Sequence, residues 1–283
     1  MSPRRYPIFC IGLLFISLVS GCTTLGDRIA VTLADAILNN NDLEMVEAGA
    51  PAYILLIDGL AQQEPKNASL ALTSAQLYSA YGTAFTSTPE RHVLLADKAF
   101  SFAKTGVCLK IEFICEVQKT PFKLFEAKIK RTKLTQIDEI YILGQTWVNW
   151  IQAHSDDWNA IADIAKVRVI MEQVVAINES HDGGGAHLYL GGLATLLPPS
   201  MGGQPERGRQ HFERAIILSE GKNLLIKVTF AEQYARLMFN RALHDKLLNE
   251  VLSQPTSAPQ LTLINTFAKK KAKKLLASAD DYF

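Results

Sequence analysis

Residues 185–197 read Gly-Ala-His-Leu-Tyr-Leu-Gly-Gly-Leu-Ala-Thr-Leu-Leu, and residues 208–218 read Gly-Arg-Gln-His-Phe-Glu-Arg-Ala-Ile-Ile-Leu. In the first segment, Gly191 and Ala194 place small residues three positions apart. In the second, Phe212, Ala215 and Ile216 recur at steps of three and four, which is the period of one helix face. The two segments therefore predict a pair of helices in which large side chains of one pack against small residues of the other. Residues 197–203, which contain two prolines and two glycines, separate them.

This pair resembles a tetratricopeptide unit, and the insertion at 197–203 is a departure from the ordinary repeat. The same apolar period covers nearly all of the chain after Cys22, while alternating strand patterns are absent. The predicted helices are 25–38, one capped by Asp42, 68–85, 89 to about 104, 136–153, 156–178, 185–197, 224–239, 243–252 and 259–276. Residues 108–133 are less regular. The fold prediction is all-α, a tetratricopeptide-like α-α solenoid with irregular repeats, forming one domain over residues 22–283.

The N-terminus has the pattern of an export signal. Arg4 and Arg5 precede an apolar run from residue 8 to residue 19, which ends in Val19-Ser20-Gly21-Cys22. The run is shorter than the roughly 20 residues that span a bilayer, and small residues at its end favour cleavage. The ending resembles a bacterial lipobox, so we expect residues 1–21 to be a lipoprotein signal peptide and Cys22 to be lipidated. The alternative is an ordinary secretory peptide with an incidental cysteine.

The composition argues against some classes of function. Without Arg4 and Arg5 the chain would carry 27 basic and 28 acidic residues, and this balance gives no electrostatic case for nucleic-acid binding. An apolar content of 48% is ordinary for a folded domain. The residue after Cys22 is Thr23. An aspartate at this position would favour retention of a lipoprotein at the inner membrane, so by analogy Thr23 suggests an anchor in the outer membrane, with the protein facing the periplasm.

Cys108 and Cys115 are the two cysteines left after Cys10 and Cys22 are assigned to the signal and the anchor. In an oxidising compartment they are the candidates for a disulfide. A continuous helix would separate them by about 10.5 Å along its axis and forbid the bond, since the Cα atoms must lie within about 7 Å. The sequence does not decide between a disulfide and two buried free thiols.

Residues 147–158 concentrate large and ionisable side chains. His154, Asp156 and Asp157 could be metal ligands or a general-base cluster. The structural alternative is that Ser155 caps a helix whose first turn holds both aspartates, while Trp158 packs on the preceding tryptophans. No nucleophile is paired with a base at a recognisable spacing, and the cysteines and histidines lack metal-ligand spacing. We therefore expect no enzyme, no cofactor and no metal.

Several blocks together resemble the TatT family, the tetratricopeptide-containing lipoproteins associated with tripartite ATP-independent periplasmic (TRAP) transporters. The blocks are residues 47–53, 75–81, 151–160, 184–191, 196–199, 211–215, 263–266 and 276–283. The resemblance covers most of the chain after Cys22 and is weakest over residues 107–133.

The resemblance implies an accessory protein that docks the periplasmic substrate-binding protein of the transporter, encloses an apolar cavity or pore for a hydrophobic small ligand, and forms homo-oligomers. The candidate cavity residues are Tyr53, Tyr78, Tyr81, Trp150, His154, Trp158, His187 and Tyr189. The alternative for each is that its side chain belongs to the hydrophobic core.

Two rival functions belong to other classes. One is a lipid-anchored, metal-dependent hydrolase that uses His154, Asp156, Asp157 and His187. The other is an envelope scaffold lipoprotein without a ligand.

Overall fold

The computed structural model describes residues 32–33, 35–86 and 88–283, and it is all-α over that part of the chain, with no strand. This confirms the predicted fold class. The predicted signal peptide, the lipidation site Cys22 and most of the predicted helix 25–38 lie outside the described residues. Residues 35–38 are helical.

The helices follow one another with short connections. They are α1 Leu43–Gln63, α2 Ala68–Phe85, α3 Pro89–Lys110, α4 Phe122–Ile129, α5 Ile137–Ala153, α6 Trp158–Ala162, α7 Ile164–Ile177, α8 Gly185–Thr195, α9 Pro205–Leu218, α10 Leu224–Thr229, α11 Arg241–Ser253, α12 Thr262–Ala277 and α13 Ala279–Tyr282. A π-helical segment, Phe230–Ala235, extends α10.

Short polar side chains begin many of these helices. Asp42, Asn67 and Thr88 each accept a hydrogen bond from the backbone N–H three residues later, at the starts of α1, α2 and α3. Asn240 does the same for α11, and Asn223 caps α10 by accepting from the Leu225 N–H, two residues later. Such caps satisfy donors that the first helical turn leaves free, so the sequence marks these starts locally.

The helices pack largely in chain order, and the last long helix returns to the first. Contacts join α1 to α2, α2 to α3, α3 to α5, α5 to α7, α7 to α8 and α8 to α9; α10 and α11 then pack on α12, and α12 also touches α1. The described helices thus close around a common centre. This order is compatible with a tetratricopeptide-like solenoid, which stays a prediction.

Packing in the core explains the small and large residues of segments 185–197 and 208–218. Phe212 is fully buried and stacks on Phe230 with ring centroids 5.1 Å apart. A Cβ placed on Gly191 would lie 2.9 Å from the Phe212 ring, so α8 and α9 can approach only because residue 191 is glycine. A larger cluster surrounds the buried Trp147, which meets Phe100 at 5.1 Å and Phe125 at 5.9 Å.

Cys108 and Cys115 are joined by a disulfide, with Cα atoms 4.6 Å apart. Helix α3 runs to Lys110, further than predicted, and then stops. The 3-10 turn Glu112–Ile114 reverses the chain. The bond is possible because the two cysteines lie on either side of this reversal rather than on one continuous helix.

The predicted helix 156–178 is wrong in detail. It is divided at Asp163 into α6 and α7. The residue that caps α6 is Asp157, which accepts from the Asn159 N–H, rather than Ser155. Trp158 is 84% exposed and does not pack on Trp147, because the helix starts later and turns it to solvent.

Candidate functional site

A cavity of about 380 Å³ lies where the helices converge. Residues from α1, α2, α5, α8, α10, the π-helical segment and α12 contribute to its wall. The apolar part of the lining includes Leu43, Val46, Ala50, Ile54, Leu77, Ala80, Ala84, Phe85, Val148, Ile151, Leu188, Leu193, Leu225, Leu263, Ile264 and Phe267. An apolar wall drawn from both ends of the chain makes this space the candidate ligand site.

Two groups of polar side chains interrupt the apolar wall. Asn149 donates hydrogen bonds to the hydroxyls of Ser79 and Thr83 on α2. On the α10–α12 side, the Lys271 ammonium lies 2.6 Å from a Glu232 carboxylate oxygen. The ion pair neutralises both charges, so a ligand would meet hydrogen-bonding groups rather than a net charge.

The π-helical segment positions a further amide side chain at the cavity wall. Gln233 lines the cavity, and its Oε1 atom is buried without a hydrogen-bond partner in the described residues. A Cβ on Gly192 would lie 2.9 Å from that oxygen, so glycine at 192 leaves room for the amide. π-helical turns occur often at functional sites, but the apolar period of residues 224–239 gave no sign of this one.

Two of the eight predicted cavity residues line the cavity. Tyr81 borders it and donates from its hydroxyl to the Glu47 carbonyl at 3.2 Å. Tyr189 borders it and forms a hydrogen bond with Gln145. Burial raises the pKa of the Tyr189 phenol far above its usual value, so this hydroxyl remains a neutral hydrogen-bonding group.

Tyr53 and Tyr78 are not among the lining residues; both are buried between helices. The Tyr78 hydroxyl donates to Asp58 at 2.7 Å, and the Lys98 ammonium lies 3.3 Å from the same carboxylate oxygen. Desolvation opposes the ionised Asp58, but the hydrogen bonds and the charge of Lys98 outweigh it and lower the pKa of the carboxyl. This triad fastens α1, α2 and α3 to one another.

Trp150, His154 and Trp158 also lie away from the cavity wall. The Trp150 Nε1 donates to Asp97 at 2.8 Å, and the His154 ring stacks on Trp150 at 4.5 Å while its Nε2 lies 3.4 Å from Asp97. These contacts fasten the end of α5 to α3. Trp158 is in solvent.

His187 belongs to a separate cluster between α8 and α9. Its Nδ1 lies 2.8 Å from Nδ1 of His211, and its Nε2 lies 3.1 Å from Glu179. Arg214 donates to both oxygens of Glu179, which lowers the pKa of that carboxyl to about 2. Burial lowers the pKa of His187. Burial, the neighbouring His187 and Arg207 lower the pKa of His211 to about 4.

The residues of the rival hydrolase are not assembled into one site. His154 contacts Asp97 and Trp150, whereas His187 contacts Glu179 and His211. Asp156 and Asp157 are exposed. Across residues 35–86 and 88–283 no three His, Cys, Asp or Glu side chains are grouped so that they could share a metal ion.

Among the described helices, none combines the length and apolarity needed to cross a membrane.

Comparison with known proteins gives two matches. A family model described as TRAP transporter T-component matches residues 39–283, which include every long helix described above. An uncharacterized protein of Treponema pallidum (strain Nichols) is 22% identical over 262 residues, covering 86% of this chain and 81% of that protein.

Proposed function

The chain belongs to the TRAP transporter T-component family, and from this premise we propose that it docks the transporter's substrate-binding protein and holds or passes a hydrophobic small ligand. Members of this family are non-catalytic accessory components of the transporter on its periplasmic side. The observation that carries the ligand part of the proposal is the central cavity.

The cavity has the size and chemistry of a small-molecule site. Its volume of about 380 Å³ lies within the roughly 300–1,000 Å³ of ligand pockets. Most of the wall is aliphatic or aromatic, and Asn149, Gln145 and Gln233 supply a few amides. A ligand suited to this wall is largely apolar with one or two hydrogen-bonding groups, because a buried charge would lack a free counter-ion.

Extraction of the purified protein with organic solvent, followed by mass spectrometry, tests the cavity. Ala50 lines it, whereas Ala48 lies on the exposed side of the same helix. We expect a small apolar molecule from the wild type and from Ala48→Phe, and much less from Ala50→Phe, because the larger ring occupies the cavity. Equal recovery from all three proteins, or none from any, would refute ligand binding there. The second result would favour the scaffold.

The exposed face of α1 is the surface we propose for docking the substrate-binding protein. Met45, Leu55, Leu56 and Leu60 are 61%, 67%, 55% and 37% exposed, and at about 100° per residue they lie within an arc of about 140° on one side of the helix. Grouped exposed apolar side chains mark protein interaction sites. The opposite face of α1 is buried against α2 and the cavity, so this stripe is available to a partner.

Capture of the substrate-binding protein from a periplasmic extract tests the docking surface. Leu55→Glu with Leu56→Glu should abolish capture, while Leu134→Glu, at an exposed leucine elsewhere, should not. Retained capture by the double variant would contradict the assignment. The extracted ligand should be unchanged in both, because none of these residues lines the cavity.

The anchor and the oligomer complete the proposal. Cys22 follows the predicted signal, and acylation at two or more positions gives stable membrane attachment. Cys22→Ser should move the protein from the membrane fraction to the soluble periplasm, and unchanged fractionation would argue against lipidation. The family resemblance also implies self-association, which sedimentation of the purified protein measures directly; a monomer at all concentrations would exclude it.

A further inference from the structure

Helix α12 carries a groove lined by four lysines, Lys269, Lys270, Lys273 and Lys274. The remaining lining residues are Leu43, Thr256, Thr266 and Ala277. No carboxylate is among its lining residues. Its wall is mostly apolar surface, which includes the lysine side-chain stems, and it is bordered by the ammonium groups and two threonines. That combination suits an anion of low charge density attached to something apolar.

None of the four lysines pairs with a described carboxylate. The Lys269 ammonium donates to the Leu252 carbonyl at 3.0 Å, and Lys270, Lys273 and Lys274 are exposed, whereas neighbouring Lys271 pairs with Glu232 at 2.6 Å. Like charges three and four residues apart on a helix repel one another. The helix dipole offsets part of this cost at the last turn, and an external anion would relieve the rest.

The groove lies beside the place where the N-terminal part of the chain joins the folded body. Gln260, just before α12, donates from its backbone N–H to the Asn39 side chain at 2.8 Å and from its own amide to Asp35 at 3.4 Å. Leu43 at the start of α1 lines the groove itself. Cys22 precedes Asp35 by 13 residues, a length that spans at most about 45 Å.

We propose that this groove binds the phosphate headgroups of anionic phospholipids, so that this side of the protein lies against the bilayer. Clusters of four or more basic residues next to a membrane attachment point bind anionic lipid. Here the lysines are held on one helix face, close to where a chain tethered through Cys22 would arrive. The Thr256 hydroxyl adds a hydrogen-bond donor for phosphate oxygens, whereas the Thr266 hydroxyl already donates to the Thr262 carbonyl. The orientation of this side toward the bilayer rests on the proposed lipid anchor at Cys22, whereas the binding of anionic lipid rests on the groove residues alone.

The test uses the chain from residue 22 onward with Cys22→Ser, because all described contacts lie within that part. Without acyl chains, binding reports the groove and is independent of whether Cys22 is lipidated. Cosedimentation is measured with phosphatidylcholine vesicles and with vesicles that also contain phosphatidylglycerol. We expect binding to the second kind only, and we expect it to fall as salt is raised.

The decisive variant is Lys270→Gln with Lys273→Gln and Lys274→Gln. Each basic residue near an anionic surface contributes about fivefold to binding, so their loss should weaken it on the order of a hundredfold. The matched control replaces Lys119, Lys123 and Lys246, exposed lysines outside the groove, and removes the same charge. Circular dichroism verifies that both triple variants are folded.

Three results would overturn the proposal. One is equal weakening in the two triple variants, which would indicate a response to net charge alone. Another is equal binding of the unsubstituted protein to both kinds of vesicle, or to neither. The last is tight binding of inorganic phosphate at the groove, detected by lysine NMR shifts, with no competition from phosphatidylglycerol vesicles; this would make the groove a site for free phosphate.

Discussion

Replacing His211 by glutamine should reduce the loss of folding stability that the protein undergoes when the pH is lowered from about 7 to about 5. His211 on α9 is half-buried, and its Nδ1 lies 2.8 Å from Nδ1 of His187 on α8. Glu179 and Arg214 complete the cluster, and Arg207 adds a positive charge nearby. The Nε2–H of a neutral His187 donates to the Glu179 carboxylate, so its Nδ1 accepts from the Nδ1–H of His211. A further proton on His211 therefore adds a positive charge to a half-buried ring beside Arg207, which is unfavourable.

The magnitude follows from the pKa of His211, which is about 4 in the folded protein and about 6.5 when unfolded. Between these values the unfolded chain binds more protons than the folded one, so stability falls as the pH is lowered. The effect is fully present above about pH 6.5 and is lost as the pH approaches 4. Integration gives a loss of about 2 kcal/mol between about pH 7 and about pH 5.

The assay is urea unfolding of the wild type and His211→Gln at about pH 7 and about pH 5. The difference in unfolding free energy between the two pH values should be about 2 kcal/mol smaller in the variant, because glutamine does not titrate. His92→Gln, which removes an imidazole outside the cluster, is the matched control. An identical pH dependence in the wild type and His211→Gln would refute this explanation, and so would an NMR titration of His211 centred near 6.5.

Three further predictions concern stability. Cys108→Ala with Cys115→Ala opens a loop of sequence separation 7 and should cost about 2.5 kcal/mol in the chain-entropy model, or about 5 °C in Tm; equal Tm with and without reductant in the wild type would contradict this. Phe212→Ala should cost about 3–5 kcal/mol in denaturant unfolding because the ring is fully buried, and a loss below about 1 kcal/mol would mean that the site collapses. Tyr78→Phe should cost about 1–3 kcal/mol because Asp58 loses its shortest hydrogen bond; an unchanged unfolding midpoint would show that water replaces it.

Local features of the sequence account for most helix boundaries. Asp42 and Asn67 cap α1 and α2 because their side chains reach backbone donors three residues away, and such contacts need no information from elsewhere in the chain. The sequence does not predict the division at Asp163, because the apolar period runs through it. The error at Trp158 has another cause: the helix begins at Trp158 and is capped by Asp157, and a change in the starting turn redirects the side chains that follow.

The cavity could not be located from residue type alone. The sequence predicts mainly aromatic lining residues, but Tyr78 stacks on Phe102 at 5.9 Å and Trp150 on His154 at 4.5 Å, because large rings gain most from close packing. The space is bounded instead mainly by aliphatic side chains and amides. Its existence depends on α12 meeting α1, a contact between distant parts of the chain that no local pattern predicts. The disulfide depends instead on a local feature, the chain reversal at Glu112–Ile114, which the apolar period of the sequence does not reveal.

The meeting of α12 with α1 has a consequence for how the chain folds. Asn39 and Gln260 are 221 residues apart in sequence, and closing a loop costs more entropy as it lengthens. Successive helices can pair early because their partners are neighbours, whereas the contact between α1 and α12 must wait for nearly all the rest. In the export that the N-terminal sequence predicts, the chain is threaded from its N-terminus and α1 emerges long before α12. Leu43, which lines the groove on α12, lacks that neighbour until α12 follows, so the first long helix to emerge stays open to contacts with other chains for longest.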